Sequence, residues 1–373
     1  MGAEDKGKLR VGVILAGMSS ERNISLASGR NMYDNLDPEK YIAIPIFLDA
    51  EGRLWEINYD LTREDNPADI AARLEKEARR IYYEDLKSMV DFVLLGLHGK
   101  YGEDGCMQGL LELLGIPYSG SGVLASALGM DKYMQRKVLR AAGVDVPKHI
   151  AVTEEEWRSD PEQVARRIEQ EIGYPCICKP SREGCTHGTH LVRGPEDLPE
   201  AMDSDSDDLI QRGALKFDRL VLFEELIQGM EFTCGVIGND YPAAFLPTET
   251  IKKGCLLTED EKFIQGEGDN ITPARLPEET IKEIQEVVVR AYKALGLKVC
   301  ARIDGIIEGE YLDEDTFRPK GRIVILEPNT LPGMTMSSCI FHQAAEAGMD
   351  SMEFIDKIIE LSLEAHRTKK GPL

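Results

Sequence analysis

The sequence predicts a mixed α/β and α+β protein built of three units, the first around a parallel sheet. Three observations carry this. At 373 residues the chain exceeds what one hydrophobic core usually serves. Its first third alternates short apolar runs with helically spaced stretches, the pattern of parallel strands with crossover helices. Its last third places two apolar strand patterns close together in sequence.

Residues 9–17, LRVGVILAG, are an apolar run closed by glycine, and a Ser-rich turn leads into ERNISLASGRNMYDNL, which has helical spacing. The runs YIAIPIFLD (41–49) and VDFVLLGLHG (90–99) repeat the pattern, giving a first unit over 1–130. Helices at 134–143 and 161–172 with strands at 176–179, 220–227 and 232–237 make a second unit, 131–238. After a loop-rich stretch from about 240 and a helix at 279–296, the strands VCARIDGII (299–307) and RIVILE (322–327) mark a third unit, 239–373. The last helix, MEFIDKIIELSLEAH, gathers Phe354, Ile355, Ile358 and Ile359 on one face, which assigns it to packing.

Composition narrows the function. Hydrophobic content of 42% with 29% charged residues and no low-complexity tract fits an ordered globular chain. No apolar run approaches the roughly 18 residues needed to span a bilayer, MGAEDKGKLR lacks a signal peptide's apolar stretch, and Lys6 breaks the myristoylation pattern. A cytoplasmic protein without a membrane partner is expected. A net charge of −22 with no basic patch repels nucleic acid, so an anionic ligand needs lysines and a metal ion gathered in a cleft. The eight cysteines lack zinc-ribbon spacing and are expected as reduced thiols, with Cys176 and Cys178 as small apolar strand residues.

Period-two alternation puts Arg302 and Asp304 on one strand face and Glu327 and Asn329 on another. Acids on apolar strands are costly unless paired or coordinating, and these oxygen donors suit Mg²⁺; a salt bridge to Arg302 answers the same spacing. In KPSREGCTHGTHLV (179–192), Lys179 offers a phosphate a point charge while Ser181, Gly184 and Gly188 permit a wrapping backbone. The stretch is no Walker A loop, and taken by itself it reads better as a solvated turn than as a phosphate loop. His187-x-x-His190 lacks acidic or thiolate partners at a zinc-site spacing. GVILAGMSSE does not supply the G-x-G-x-x-G of a dinucleotide-dependent oxidoreductase.

Taken in order, HGKYGEDG (98–105), GIPYSGSGVLASALGMDK (115–132), the 179–192 loop, VLFEELIQGMEFTCGV (221–236) and ILEPNTLPGMT (325–335) resemble the D-alanine:D-alanine ligase family of the ATP-grasp superfamily, from about Val11 to Met349. The resemblance implies a three-domain ATP-grasp fold binding ATP between its central and C-terminal domains. It further implies two Mg²⁺ ions, with Mn²⁺ as the alternative, D-alanine and a second small D-amino or hydroxy acid as substrates, and a homodimer. Asp304, Glu327 and Asn329 fall on the family's metal ligands, and Lys132, Lys179 and Lys262 on its phosphate lysines. Glu224, Glu225, Leu226 and Ile227 match the adenine linker, and Glu231 the ribose contact. Glu21 matches the carboxylate that holds the first D-alanine's ammonium, with His98 beside it. Arg302 and the Gly333 N–H match the oxyanion pair, and Ser338 the residue receiving the second substrate's carboxylate.

The implied reaction is attack of a substrate carboxylate on the γ-phosphate, then displacement of phosphate from the acyl phosphate by an acceptor amine, as in peptidoglycan precursor synthesis. A homologue that binds nucleotide without ligating is the rival reading, and retention of Arg302 beside Asp304, Glu327 and Asn329 argues against it. The family's G-S-S-x-G loop reads Gly184-Cys185-Thr186-His187-Gly188, and its loop tyrosine falls on Phe263, which donates no hydrogen bond. In the family that first serine, now Cys185, joins the glutamate and the tyrosine in closing the site over the second substrate. The departures imply altered acceptor choice, with D-alanine:D-lactate ester formation or another D-Ala-D-X product as the alternative to D-Ala-D-Ala. Met336-Ser337-Ser338-Cys339, where relatives often carry histidine and leucine, departs on the same side.

Overall fold

The computed structural model describes residues 7–251, 269–313 and 316–369. Lys262 and Phe263 lie outside the described residues. Among those described, three sheets organise the chain. The first comprises β1 (Leu9–Ala16), β2 (Tyr41–Leu48), β3 (Leu54–Glu56), β4 (Arg79–Ile81) and β5 (Phe92–Leu95), in the order β4-β3-β2-β1-β5. β1 pairs in parallel with β2 and β5, as the apolar runs predict. β3 and β4 extend the sheet antiparallel. Residues 49–53 are too few for a crossover, so the chain can only turn back. Asp49 fixes that turn, accepting from the Arg53 N–H at 2.8 Å and the Trp55 Nε1–H at 2.8 Å.

Helix α1 (Arg22–Asp34) lies on β1 so closely that a Cβ on Gly29 would stand 2.4 Å from the Leu15 Cβ. Only glycine allows that approach. The tight seat brings the residue preceding α1, Glu21, to the carboxyl end of β1.

The second sheet is antiparallel, in the order β6-β9-β7-β8: β6 (His149–Thr153), β7 (Cys176–Pro180), β8 (His190–Val192) and β9 (Leu220–Glu225). Cys176 and Cys178 are fully buried while Ile177 between them is not, the alternation expected of small apolar strand residues. Burial pushes the Cys176 thiol up to about 12.

The third sheet holds β10 (Gly229–Ile237), β11 (Ala243–Ala244), β12 (Thr248–Ile251), β13 (Asp269–Ile271), β14 (Cys300–Tyr311) and β15 (Phe317–Asn329). β10, which the sequence groups with the central unit, pairs with β14 from Gly229 opposite Glu308 to Ile237 opposite Cys300. Its Phe232, Cys234 and Val236 share a core with Ile284, Val288 and Tyr292 of a helix over Glu278–Ala294, beneath the helix α2 (Lys132–Ala141). Burying that apolar face is what draws β10 into the later sheet. The link β9–β10 therefore joins the two sheets.

The final helix, α3 (Ser351–Thr368), is capped by Asp350, which accepts from the Glu353 N–H while the Glu353 carboxylate accepts from the Asp350 N–H. Its Phe354, Ile355, Ile358 and Ile359 are buried against Val11 and Val13 of β1 and Phe92 and Leu94 of β5, the packing role read from their spacing. No described helix is long and apolar enough to cross a membrane.

Candidate active site

A cleft between the second and third sheets is lined by Lys132, Lys179, Glu224, Glu225, Leu226, Ile227 and Glu231, together with Arg302, Asp304 and Glu327. Every described residue expected around a nucleotide is therefore on one cavity. Lys132 starts α2 behind Asp131, whose carboxylate accepts from the Met134 N–H at 3.0 Å. The Lys132 Nζ lies 3.1 Å from the Glu327 carboxylate and donates to the Glu183 carbonyl.

Lys179 leaves β7 and meets Glu224 of β9 at 2.8 Å. Glu224 also pairs with Arg136, a residue with no exposed surface on α2. Burial would raise the Glu224 carboxyl, but Arg136 and Lys179 outweigh it and hold it below its usual range. Burial pulls the Lys179 amine down, opposed by Glu224. The pair holds the lysine at the cleft wall.

On the adjacent strands the register sets Asp304 opposite Glu327 and Arg302 opposite Asn329, beside a bulge that follows Asp304. Arg302 forks onto Asp304 with bonds of 2.9 and 2.8 Å, and the same carboxylate accepts from Thr233 Oγ1 at 2.6 Å and Asn329 Nδ2 at 2.9 Å. The salt bridge and the oxygen cluster, alternatives from spacing, occur together. Burial opposes the Arg302 charge, and Asp304 more than restores it. Two carboxylates and an amide in one place are hard donors that fit Mg²⁺ better than a thiophilic ion.

A second, smaller cavity is lined by Glu21, His98, Glu103, Gly184, Cys185, Arg302, Glu327, Asn329, Leu331 and Gly333. It shares Arg302, Glu327 and Cys185 with the nucleotide-side cleft. Glu21 sits against two bare backbones there: a Cβ on Gly184 would come 2.6 Å from its Oε1, and a Cβ on Gly99 2.7 Å.

His98 is fully committed to the protein. Its Nδ1 lies 2.9 Å from the Leu331 carbonyl and its Nε2 2.7 Å from Ser28 Oγ, which itself accepts from the Met334 N–H at 3.0 Å. Proton accounting makes Nδ1–H the donor to the carbonyl and Nε2 the acceptor from Ser28. Burial, with Arg302 nearby, pushes this imidazole down to about 4. His98 thus braces the 331–334 loop as a neutral ring.

Glu103 is the functional residue that sequence reasoning missed, although it lies inside the quoted HGKYGEDG. Its carboxylate accepts from the Gly99 N–H at 2.9 Å and the Leu331 N–H at 3.0 Å, and burial raises it to about 7. Arg136 was missed too, since nothing marks one arginine of KYMQRKVLRA as buried. Ser338 is a finding of a different kind: it lines neither cavity, and its hydroxyl accepts from the Thr335 N–H at 3.0 Å. Its neighbour Cys339 lines the nucleotide-side cleft.

The glycine-bearing loop holds a further grouping. Glu183, Cys185 and His187 come together, whereas His190 turns away to the Arg212 carbonyl. The acid and thiol that the two-histidine spacing lacked are supplied by alternate residues of the bend.

Two family models match the chain: D-ala D-ala ligase N-terminus over residues 10–121 and D-ala D-ala ligase C-terminus over residues 138–360. A curated relative, the D-alanine–D-alanine ligase of Geobacillus thermodenitrificans, is 35% identical, with 97% of this chain and 98% of that one covered. Among solved structures, the VanG D-Ala:D-Ser ligase of Enterococcus faecalis is similar with a TM-score of 0.79 at 30% identity, covering 95% of this chain and 99% of that one. The Bacillus anthracis D-alanine–D-alanine ligase complexed with ATP is similar with a TM-score of 0.68 at 30% identity, covering 97% and 100%.

Proposed function

Since the chain belongs to the D-alanine–D-alanine ligase family, we propose that it is an ATP-dependent, ADP-forming ligase that joins D-alanine to a second D-amino acid through an acyl phosphate. The observation that carries the reading is the junction of two cavities at Arg302, Glu327 and Cys185. A phosphoryl group entering from one side and a carboxylate from the other meet there. Lys132 and Lys179 receive the phosphates; Glu224, Glu225, Leu226, Ile227 and Glu231 line the nucleoside end. Glu21 takes the ammonium of the first D-alanine, directing its carboxylate toward Arg302.

The carboxylate oxygen attacks the γ-phosphorus and the bond to the β-phosphate oxygen breaks, giving ADP. The acceptor amine then adds to the acyl carbon, phosphate leaves, and the amine proton is lost. Arg302 and the Gly333 N–H face the oxygen that gains charge, which is electrostatic catalysis without an enzyme nucleophile. Asp304, Glu327 and Asn329 would hold Mg²⁺, which neutralises phosphate charge when bound. His98 and Glu103 hold the oxyanion loop from behind.

A second reading concerns the acceptor. Cys185 stands at the cavity junction where the family carries serine, and the structural similarity to a D-Ala:D-Ser ligase supports an acceptor other than D-alanine. D-lactate, giving an ester, belongs to the same reading. In the proposed division of labour, residues 1–130 hold the first substrate while 131–238 and 239–373 close on the nucleotide. Location in the cytoplasm, a homodimer and service to peptidoglycan synthesis complete the proposal.

Phosphate release is measured with ATP, Mg²⁺ and D-alanine, then with D-alanine plus D-serine, D-lactate or other D- and L-amino acids, with products identified by mass. D-Ala-D-Ala from D-alanine alone is the expected product; a mixed dipeptide or ester without it establishes the second reading. No phosphate release with any pair refutes ligation.

A further inference from the structure

We propose that Glu183, Cys185 and His187 form a binding site for a thiophilic divalent ion, Zn²⁺ by its chemistry, distinct from the oxygen cluster at Asp304, Glu327 and Asn329. A carboxylate oxygen, a thiol sulfur and a ring nitrogen of these residues lie within 4.8 Å of one another. Oxygen, sulfur and nitrogen donors together are a zinc set, whereas Mg²⁺ takes oxygen alone.

The surroundings build the place. Glu183 and His187 are only 4% and 3% exposed. The His187 ring stacks on Phe217 with centroids 5.9 Å apart and planes at 22°. Gly188, in the left-handed region at φ 65°, permits that seat, since a Cβ there would stand 2.7 Å from the Phe217 ring. Glu183 divides its oxygens: Oε2 pairs with Lys100 at 2.9 Å, while Oε1 accepts from Ser20 Oγ at 3.1 Å and faces Cys185 Sγ at 3.9 Å. The oxygen nearest the thiol is therefore not the one the lysine holds.

Tetrahedral zinc sets its donors about 3.5 Å apart, and Cys185 Sγ and Glu183 Oε1 already stand 3.9 Å apart. The thiol proton leaves to solvent as the thiolate forms. Three protein donors leave a fourth position for water or a substrate oxygen. Cys185 and Glu183 both border the nucleotide-side cleft, so a bound ion freezes the loop that must cover phosphate. Inhibition of turnover by Zn²⁺ follows from that position, and this consequence rests on the ligase reading.

The test uses the full chain with saturating Mg²⁺ and Co²⁺ as a spectroscopic stand-in for Zn²⁺. A saturable thiolate-to-cobalt absorption, bleached by Zn²⁺, is expected. Removing a ligand should cost at least the ~10- to 100-fold in affinity that even a supporting residue costs, in each of C185S, H187Q and E183Q. A band that survives in C185S assigns the ion to another thiol such as exposed Cys106 and overturns the site. Parent-like affinity in H187Q and E183Q, folded by thermal unfolding, reduces the site to a single thiol and overturns it equally. No band in the parent does the same. The absorption is read without turnover, so it stands or falls apart from ligation. Zn²⁺ inhibition of phosphate release that weakens in H187Q reads out the consequence separately.

Discussion

Gly184 faces Glu21 at a distance no other residue could keep: a Cβ on the glycine would stand 2.6 Å from the Glu21 Oε1. Residues from the first sheet's rim and the phosphate-side loop are in contact across the cavity junction. Gly99 hems the same oxygen from the other side, so the carboxylate has little room to retreat.

G184A should therefore displace the Glu21 carboxylate, proposed to hold the first substrate's ammonium, and leave the nucleotide-side cleft intact. We expect kcat/KM for D-alanine to fall about 10- to 100-fold, the cost of misplacing a reacting group by about 1 Å. Initial rates of phosphate release against D-alanine, beside ADP affinity by titration, check it. Loss of ADP affinity to the same degree would show a general collapse of the loop.

Arg136 and Lys179 share one buried carboxylate, Glu224. R136M leaves Glu224 buried with one partner, and breaking a buried pair costs about 3–5 kcal/mol. Urea unfolding should show that loss. Adding E224Q should deepen the loss rather than recover it, because Lys179 is then left in the cleft wall without the carboxylate it pairs with.

His98 and Glu103 have opposite pH signs. The imidazole is depressed from 6.5 to about 4, so its contribution is present above 6.5 and lost as pH falls toward 4. The carboxyl is raised from 4.5 to about 7, so its contribution is full below 4.5 and lost as pH rises through 7. Each shift corresponds to roughly 3 kcal/mol, and in the intact protein they offset each other between about pH 4.5 and 6.5. E103Q should lose more stability than the parent when taken from pH 7 to pH 5, and H98N less. Chemical unfolding at both pH values measures it; equal pH slopes in all three proteins would refute the offset.

Arg302 grips Asp304 through two parallel bonds that lysine cannot reproduce. R302K should lower kcat about 10²- to 10³-fold, the usual cost of losing a donor to a developing oxyanion. Half-saturation by ATP should change far less. A rise in the ATP requirement with kcat preserved would place Arg302 in ground-state binding instead.

The parallel core of the first sheet and the packing face of α3 were legible because apolar period alone determines them. The pairing of Asp304 with Glu327 across two strands was half legible: spacing gave each strand's face, and only register set the faces together. Spacing could not choose between a salt bridge and a cation site because Asp304 carries the Arg302 pair while standing opposite Glu327 among the oxygen donors. β10 falls with the central unit by sequence order, whereas its long pairing is with β14, whose partner residues follow it by some 60 to 80 positions, beyond any local pattern. Glu103 escaped notice because its role lies in accepting backbone N–H bonds from Gly99 and Leu331, and a backbone partner leaves no mark on residue type. The His187–His190 spacing does not reveal the Glu183, Cys185 and His187 grouping, because the bend brings alternate residues together.

The seating of α3 on β1 and β5 also constrains how the chain is made. Val11, Val13, Phe92 and Leu94 leave the ribosome early, but the side chains that cover them, Phe354, Ile355, Ile358 and Ile359, come almost last. Throughout most of translation one side of the nascent parallel sheet is bare, the situation in which partly made chains stick to one another or recruit chaperones. A stop codon ahead of α3 would release a chain with every predicted catalytic residue and an uncovered oily face.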